Sequence, residues 1–196
     1  YVLTDLNGDG AKEILCITDS GAETAATAAY YTYSDEQMKA GQELRLSENY
    51  SDILNISQGT LEDGTAAVLL TGKSGEQLRT DVLVQNETSE LTAVDCGSLE
   101  ASAQLQGGTL YPEDIDGDGN LEIPQAQELP EYEAGSGTQW TVAWYGLTAK
   151  GKTYLKCTTY HCFDEGWYLE LPEHWENAIS VREKSETAGA CTIHSV

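Results

Sequence analysis

Apolar and β-branched residues fall along this chain in short runs, many alternating with polar positions, and turn residues close each run. A period of two is that of a half-buried strand, and almost nothing keeps the spacing of an amphipathic helix. The pattern predicts strands over Glu13–Asp19, Ala26–Ser34 and Glu43–Ser47, and again over Ala66–Thr71, Thr80–Gln85 and Glu90–Asp95. A longer, more aromatic pair is predicted over Thr138–Thr148 and Thr153–Phe163. Ala40-Gly41, Asn86-Glu-Thr-Ser89 and Lys150-Gly-Lys152 separate the runs with residues that favour turns. Beyond Phe163, the segment Gly166–Trp175 reads as a strand, a proline break and a second tryptophan, with one helical turn over Pro172–Asn177. A hairpin of Ile179–Lys184 with Ala190–Val196 follows.

Two of the turns carry the same acidic pattern, Asp5-Leu-Asn7-Gly-Asp9-Gly10-Ala11-Lys-Glu13 and Asp114-Ile-Asp116-Gly-Asp118-Gly119-Asn120-Leu-Glu122. Oxygen side chains stand at positions 1, 3, 5 and 9 of each, and glycine stands at position 6. Ca²⁺ takes six to eight oxygen ligands, which alternate residues of a tight turn can point inward. Position 7, Ala11 or Asn120, would contribute only its carbonyl. An EF-hand instead needs a glutamate at position 12, where Cys16 and Gln125 stand, and a helix on either side. The first loop runs into the apolar Ile14–Thr18, so it is expected to join strand to strand, and the second likewise. Asp, Asn and Gly are also ordinary turn residues, but the turn recurs without the metal pattern. Gly10 and Gly119 are 109 positions apart, and Gly64 lies 54 from the first and 55 from the second. Around Gly64 the Asp-Gly turn, the apolar run and a following Ser-Gly all recur, whereas three of the metal positions have become Gly59, Leu61 and Ala67. The middle copy is therefore expected to be metal-free.

A period near 54 residues marks stacked or radial units that cannot bury their own faces. The expected class is all-β, with repeated four-stranded antiparallel units, partial and propeller-like, and a Trp-rich C-terminal β segment. The units are placed at approximately 1–55, 56–109 and 110–163, with 164–196 a divergent fourth unit or the start of another domain. Three units cannot close a ring of four or more blades, so the remaining repeats of a longer parent chain are an expected partner; both ends of the chain look cut.

The two loops resemble the calcium loops of FG-GAP and VCBS-type repeats, found in integrin-alpha-like β-propellers and many secreted bacterial proteins. That family carries Asp-x-Asp/Asn-x-Asp-Gly-x-x-Asp at the turn between the first two strands of a blade. The resemblance implies two structural Ca²⁺ ions, held by Asp5, Asn7, Asp9 and Glu13 and by Asp114, Asp116, Asp118 and Glu122. The chain departs from the family in having Glu at position 9 and in lacking the Phe-Gly and Gly-Ala-Pro signatures. The acidic, Trp-rich tail resembles surface lipoproteins of Gram-positive bacteria.

Composition narrows the function classes. With 33 acidic and 10 basic residues the net charge is −23, which repels nucleic acid and anionic membranes. No run approaches the length of a membrane span. Five cysteines form no compact disulfide framework and read as small buried apolar residues. Cys157, His161, Cys162, Cys191 and His194 supply the residue types for zinc or a thiol nucleophile, but their spacing places neighbours on opposite strand faces. Trp167, Tyr168 and Trp175 among Asp164, Glu165, Glu170 and Glu173 suit sugar stacking; the competing reading is core and surface of one strand. The chain is thus expected to be a non-catalytic extracellular or cell-surface binding or display module, stabilised by calcium and facing carbohydrate or a surface protein. The alternatives are an accessory or catalytic part of a secreted polysaccharide-acting enzyme and an architectural spacer.

Overall fold

A computed structural model describes the chain apart from residues 20–24, 98, 100–102, 106, 134–137, 176–177, 184–190 and 196. It is all-β, built from three four-stranded antiparallel sheets and two hairpins, with no α-helix among the described residues. The first sheet runs β1 (Val2–Thr4), β2 (Glu13–Thr18), β3 (Thr27–Ser34), β4 (Gln37–Arg45). The second runs β5 (Asp52–Thr60), β6 (Ala66–Ser74), β7 (Gln77–Gln85), β8 (Leu91–Val94). A hairpin of β9 (Ala103–Leu105) and β10 (Gly108–Leu110) precedes the third sheet. That sheet runs β11 (Glu122–Glu128), β12 (Trp140–Leu147), β13 (Thr153–Cys162), β14 (Trp167–Leu171). A 3-10 turn at Glu173–Trp175 leads into the last hairpin, β15 (Ile179–Glu183) with β16 (Cys191–Ser195). The far ends of the strands expected there, Lys184, Ala190 and Val196, lie outside the described residues, as does Asn177 of the expected helical turn.

Alternation within β6 explains how the sheets stack. Val68 and Leu70 pack with Leu15, Ala28, Tyr30 and Leu83 toward the first sheet. Ala67 and Leu69 pack with Val82, Leu121, Ile123 and Leu147 toward the third. Successive strand residues face opposite ways, so a strand covered on both sides reads as a continuous apolar run. Hydroxyls close the first junction: Ser47 Oγ and Tyr50 Oη donate to the buried Asp81 carboxylate at 2.6 and 2.9 Å.

The third sheet takes Trp167–Leu171 as its fourth strand, registered on β13 from Thr158↔Leu171 to Cys162↔Trp167. In the first sheet the strand before the acidic loop, β1, fills one place. Before the second loop that strand shrinks to the single bridge Glu113↔Glu122, and the downstream β14 supplies the fourth strand. Trp167–Leu171 therefore completes the third sheet, and the last hairpin packs on it through Leu129, Tyr160, Leu171, Ile179 and Val181.

Candidate metal centre

Each acidic loop enters a strand at its ninth residue, Glu13 opening β2 and Glu122 opening β11. The two backbones are wound alike. Asp5 accepts from the N–H groups of Gly8 (2.7 Å) and Gly10 (2.9 Å), and Asp114 from those of Gly117 (2.8 Å) and Gly119 (3.0 Å). At position 3, Asn7 and Asp116 accept from the amides of Asp9 and Asp118. At position 5, Asp9 and Asp118 accept from those of Ala11 and Asn120, both at 2.8 Å. These turns need positive φ at position 4 as well as position 6: 72° and 87° at Gly8 and Gly10, 77° and 92° at Gly117 and Gly119. Glycine supplies that conformation without the steric cost a Cβ brings.

The ninth position separates these loops from an ordinary Asx-rich turn. Glu13 and Glu122 are 4% and 0% exposed, and each keeps one buried carboxylate oxygen without a hydrogen-bond partner, Oε2 and Oε1 respectively. The other oxygen of Glu122 accepts from the Ile115 amide at 3.0 Å. Burying an unpaired carboxylate oxygen is costly unless a proton or a cation satisfies it. Burial raises the Glu122 carboxyl to about 7, with Asp116 and Asp118 adding to the rise. Burial and the neighbouring Glu13 likewise hold the Tyr30 phenol above its usual range. In the middle copy the ninth position is Ala67, buried in the apolar core.

Among the described residues, two groups of acids bring oxygens within 4.8 Å of one another: Asp114, Asp116, Glu122 and Glu62, Asp118, Glu122. Both share Glu122 of the second loop, and either acidic group has the chemistry to hold a metal ion. The sequence missed Glu62, which belongs to the middle turn. That turn docks on the third sheet. The Glu62 amide donates to Leu147 O (2.9 Å), Asp63 Oδ2 accepts from Ala149 N–H (3.0 Å), and Thr60 bridges to Asn120. Lys156 on β13 was also missed. Its ammonium lies 2.9 Å from Glu62, 3.6 Å from Asp116 and 2.5 Å from Asp118. Asp118 first, then Glu62, hold that ammonium above its usual range, and Lys156 holds Asp118 below the usual carboxylate range. The only local signal for this contact was the survival of Glu62-Asp63 in a copy that had lost the other acids.

The aromatic candidates do not share a face. Trp167 and Trp175 pack against the core between the third sheet and the last hairpin. Tyr168, half exposed, lies on the other face of β14 and stacks on His161 with centroids 5.3 Å apart. Trp175 borders a groove of about 460 Å³ that also includes Glu170, Glu173, Gln127 and Lys156. Cys16, Cys96, Cys157 and Cys162 carry free thiols. Burial pushes Cys96 and Cys157 up to about 11, which keeps both protonated at neutral pH and unsuited to nucleophilic attack. Among the described residues no histidine or cysteine joins a group able to hold a metal. No helix among the described residues is long and apolar enough to cross a membrane. Comparison with family models, with curated proteins and with solved structures gave no match to this chain.

Proposed function

We propose that this chain is a non-catalytic, calcium-stabilised β-repeat module of the FG-GAP/VCBS type, working outside the cell as a binding or display unit within a longer repeat protein. The buried glutamate beneath each acidic loop supports this reading most: Glu13 keeps an oxygen outside hydrogen-bonding geometry, with the Tyr30 hydroxyl as its neighbour, and Glu122 keeps one without a hydrogen-bond partner. Ca²⁺ bound by Asp5, Asn7, Asp9, Glu13 and the Ala11 carbonyl would satisfy the first. Asp114, Asp116, Asp118, Glu122 and the Asn120 carbonyl would do the same for the second. The ion neutralises crowded carboxylates and fixes the turn leading into β2 or β11. With a Kd near 10⁻⁴ M, millimolar extracellular calcium stabilises the fold by about 1.4 kcal/mol per site through mass action. Calorimetric titration is expected to find two calcium ions per chain, and Asp5→Ala with Asp9→Ala removes one. Absence of calcium binding at millimolar concentration would refute the assignment.

A second reading rests on the groove lined by Trp175, Glu170 and Glu173. Carboxylates and a tryptophan at one cleft suit a polysaccharide-acting enzyme. Release of reducing ends from a panel of neutral and acidic glycans would establish that role; the binding module produces none.

A further inference from the structure

Lys156 stands among the very carboxylates that the second loop offers to a metal. Its three N–H donors face Glu62 at 2.9 Å, Asp118 at 2.5 Å and Asp116 at 3.6 Å, and the Lys156 side chain is 18% exposed. Glu62 reaches this point from another sheet because β12 carries Gly146 there; a Cβ at Gly146 would overlap the Glu62 carboxylate. The ammonium does not complete the site. Glu122, fully buried, retains an oxygen without a partner, and its carboxylate lies within 4.8 Å of the ligand oxygens of Glu62 and Asp118. One positive charge thus sits among five acids: Glu62, Asp114, Asp116, Asp118 and Glu122. The first loop differs, since among the described residues no ion pair reaches Asp5, Asp9 or Glu13.

We propose that the second loop is a lysine-gated cation site shared between two β-units, in which Lys156 and a divalent cation are mutually exclusive occupants and Glu62 is an added metal ligand. The inference rests on the calcium reading of the loops and deepens it. A divalent ion brings twice the charge and a larger set of ligands than an ammonium, so it can reach Glu122 where Lys156 does not. It must first displace a cation already held by three carboxylates. The first loop therefore fills at lower calcium than the second, and filling the second replaces a lysine contact between the middle and third sheets with a metal bridge through Glu62.

The test is calcium titration calorimetry on the full chain carrying Asp5→Ala and Asp9→Ala, which isolates the second loop. Adding Lys156→Met is expected to tighten calcium binding about tenfold or more, because the ammonium that competes for the same carboxylates is removed. Lys156→Arg keeps the charge and leaves the affinity within about threefold. Glu62→Gln, placed on the Lys156→Met background, weakens it severalfold. Unchanged or weaker binding in Lys156→Met overturns the proposal, as does an unchanged affinity on loss of Glu62. A second readout needs no variant: in the intact chain, the NMR signal of the Lys156 ε-methylene moves toward that of a solvated lysine as the second loop fills, and a signal that stays put overturns the gate. The underlying calcium reading is judged separately at the first loop of the intact chain. If calcium fails to bind there while Lys156→Met creates binding at the second loop, the gate stands and that reading fails. If both loops bind calcium and Lys156→Met changes nothing, only the gate fails.

Discussion

Replacing Trp144 with alanine is expected to lower the unfolding free energy by about 3–5 kcal/mol, read as a shift of the urea midpoint at constant slope. Trp144 is fully buried at the centre of the third sheet, opposite Pro124 on β11 and Cys157 on β13. It packs with Ala103 and Val142, and Leu105, Leu110, Ile115 and Ala126 lie against the same cluster. The ring therefore ties the β9–β10 hairpin to the sheet and supports the second acidic loop from below through Ile115. Its Nε1–H donates to Thr159 Oγ1 at 2.7 Å. Phenylalanine keeps most of the packing, and Thr159 retains a bond with His161 at 2.8 Å, so Trp144→Phe costs only about 1–2 kcal/mol. Against a total stability of about 5–15 kcal/mol, the alanine variant leaves the third unit marginal. Equal midpoints for the alanine variant and the parent would contradict the packing described for this sheet.

The calcium-free protein is expected to lose stability as pH rises from about 4.5 to 7, by an amount on the order of 2–3 kcal/mol from Glu122. The carboxyl is raised from 4.5 to about 7, so the folded state holds this proton more tightly than the unfolded chain does. That contribution is complete below the unfolded value, falls across the interval, and is gone above about pH 7. Glu122→Gln, which mimics the protonated form, is expected to flatten the dependence in a chelated sample; general repulsion among the other acids remains in both proteins and cancels in the comparison. If the loop holds calcium as proposed, the requirement reverses, because the metal would take the carboxylate, and binding is then expected to strengthen as pH rises through the same interval. Identical pH profiles for the parent and Glu122→Gln in chelator would rule out the buried, unsatisfied carboxyl.

Much of this was legible in the sequence because it is local. The amide network of each acidic loop involves residues no more than five apart, so spacing alone carries it. The apolar runs at β2, β6, β7 and β12 announce strands for the same reason. β5 was not expected, because Asn55, Ser57, Gln58 and Gly59 interrupt its apolar residues and its register shifts between Ile53 and Asn55. β11 was obscured by Pro124, which an edge strand tolerates and a central one does not. The β9–β10 hairpin and β1 are too short to show a period. Lys156 and Glu62 are 94 positions apart and meet only once the second and third sheets stack; the survival of Glu62-Asp63 in the middle turn is the one local trace of that contact, and it does not point to Lys156. Alternation along β14 sends Trp167 and Tyr168 to opposite sides, the arrangement described by the reading of that stretch as core and surface of one strand.

The calcium dependence of thermal unfolding tests the central claim most directly. The parent chain, melted at fixed ionic strength in 1 mM calcium and again in EDTA, is expected to lose roughly 5–10 °C on chelation. Magnesium is not expected to replace the missing ion, and the chain carrying both Asp9→Ala and Asp118→Ala melts alike in the two buffers. A parent that melts at one temperature with and without calcium, or a double variant that shifts as far as the parent, would contradict the account.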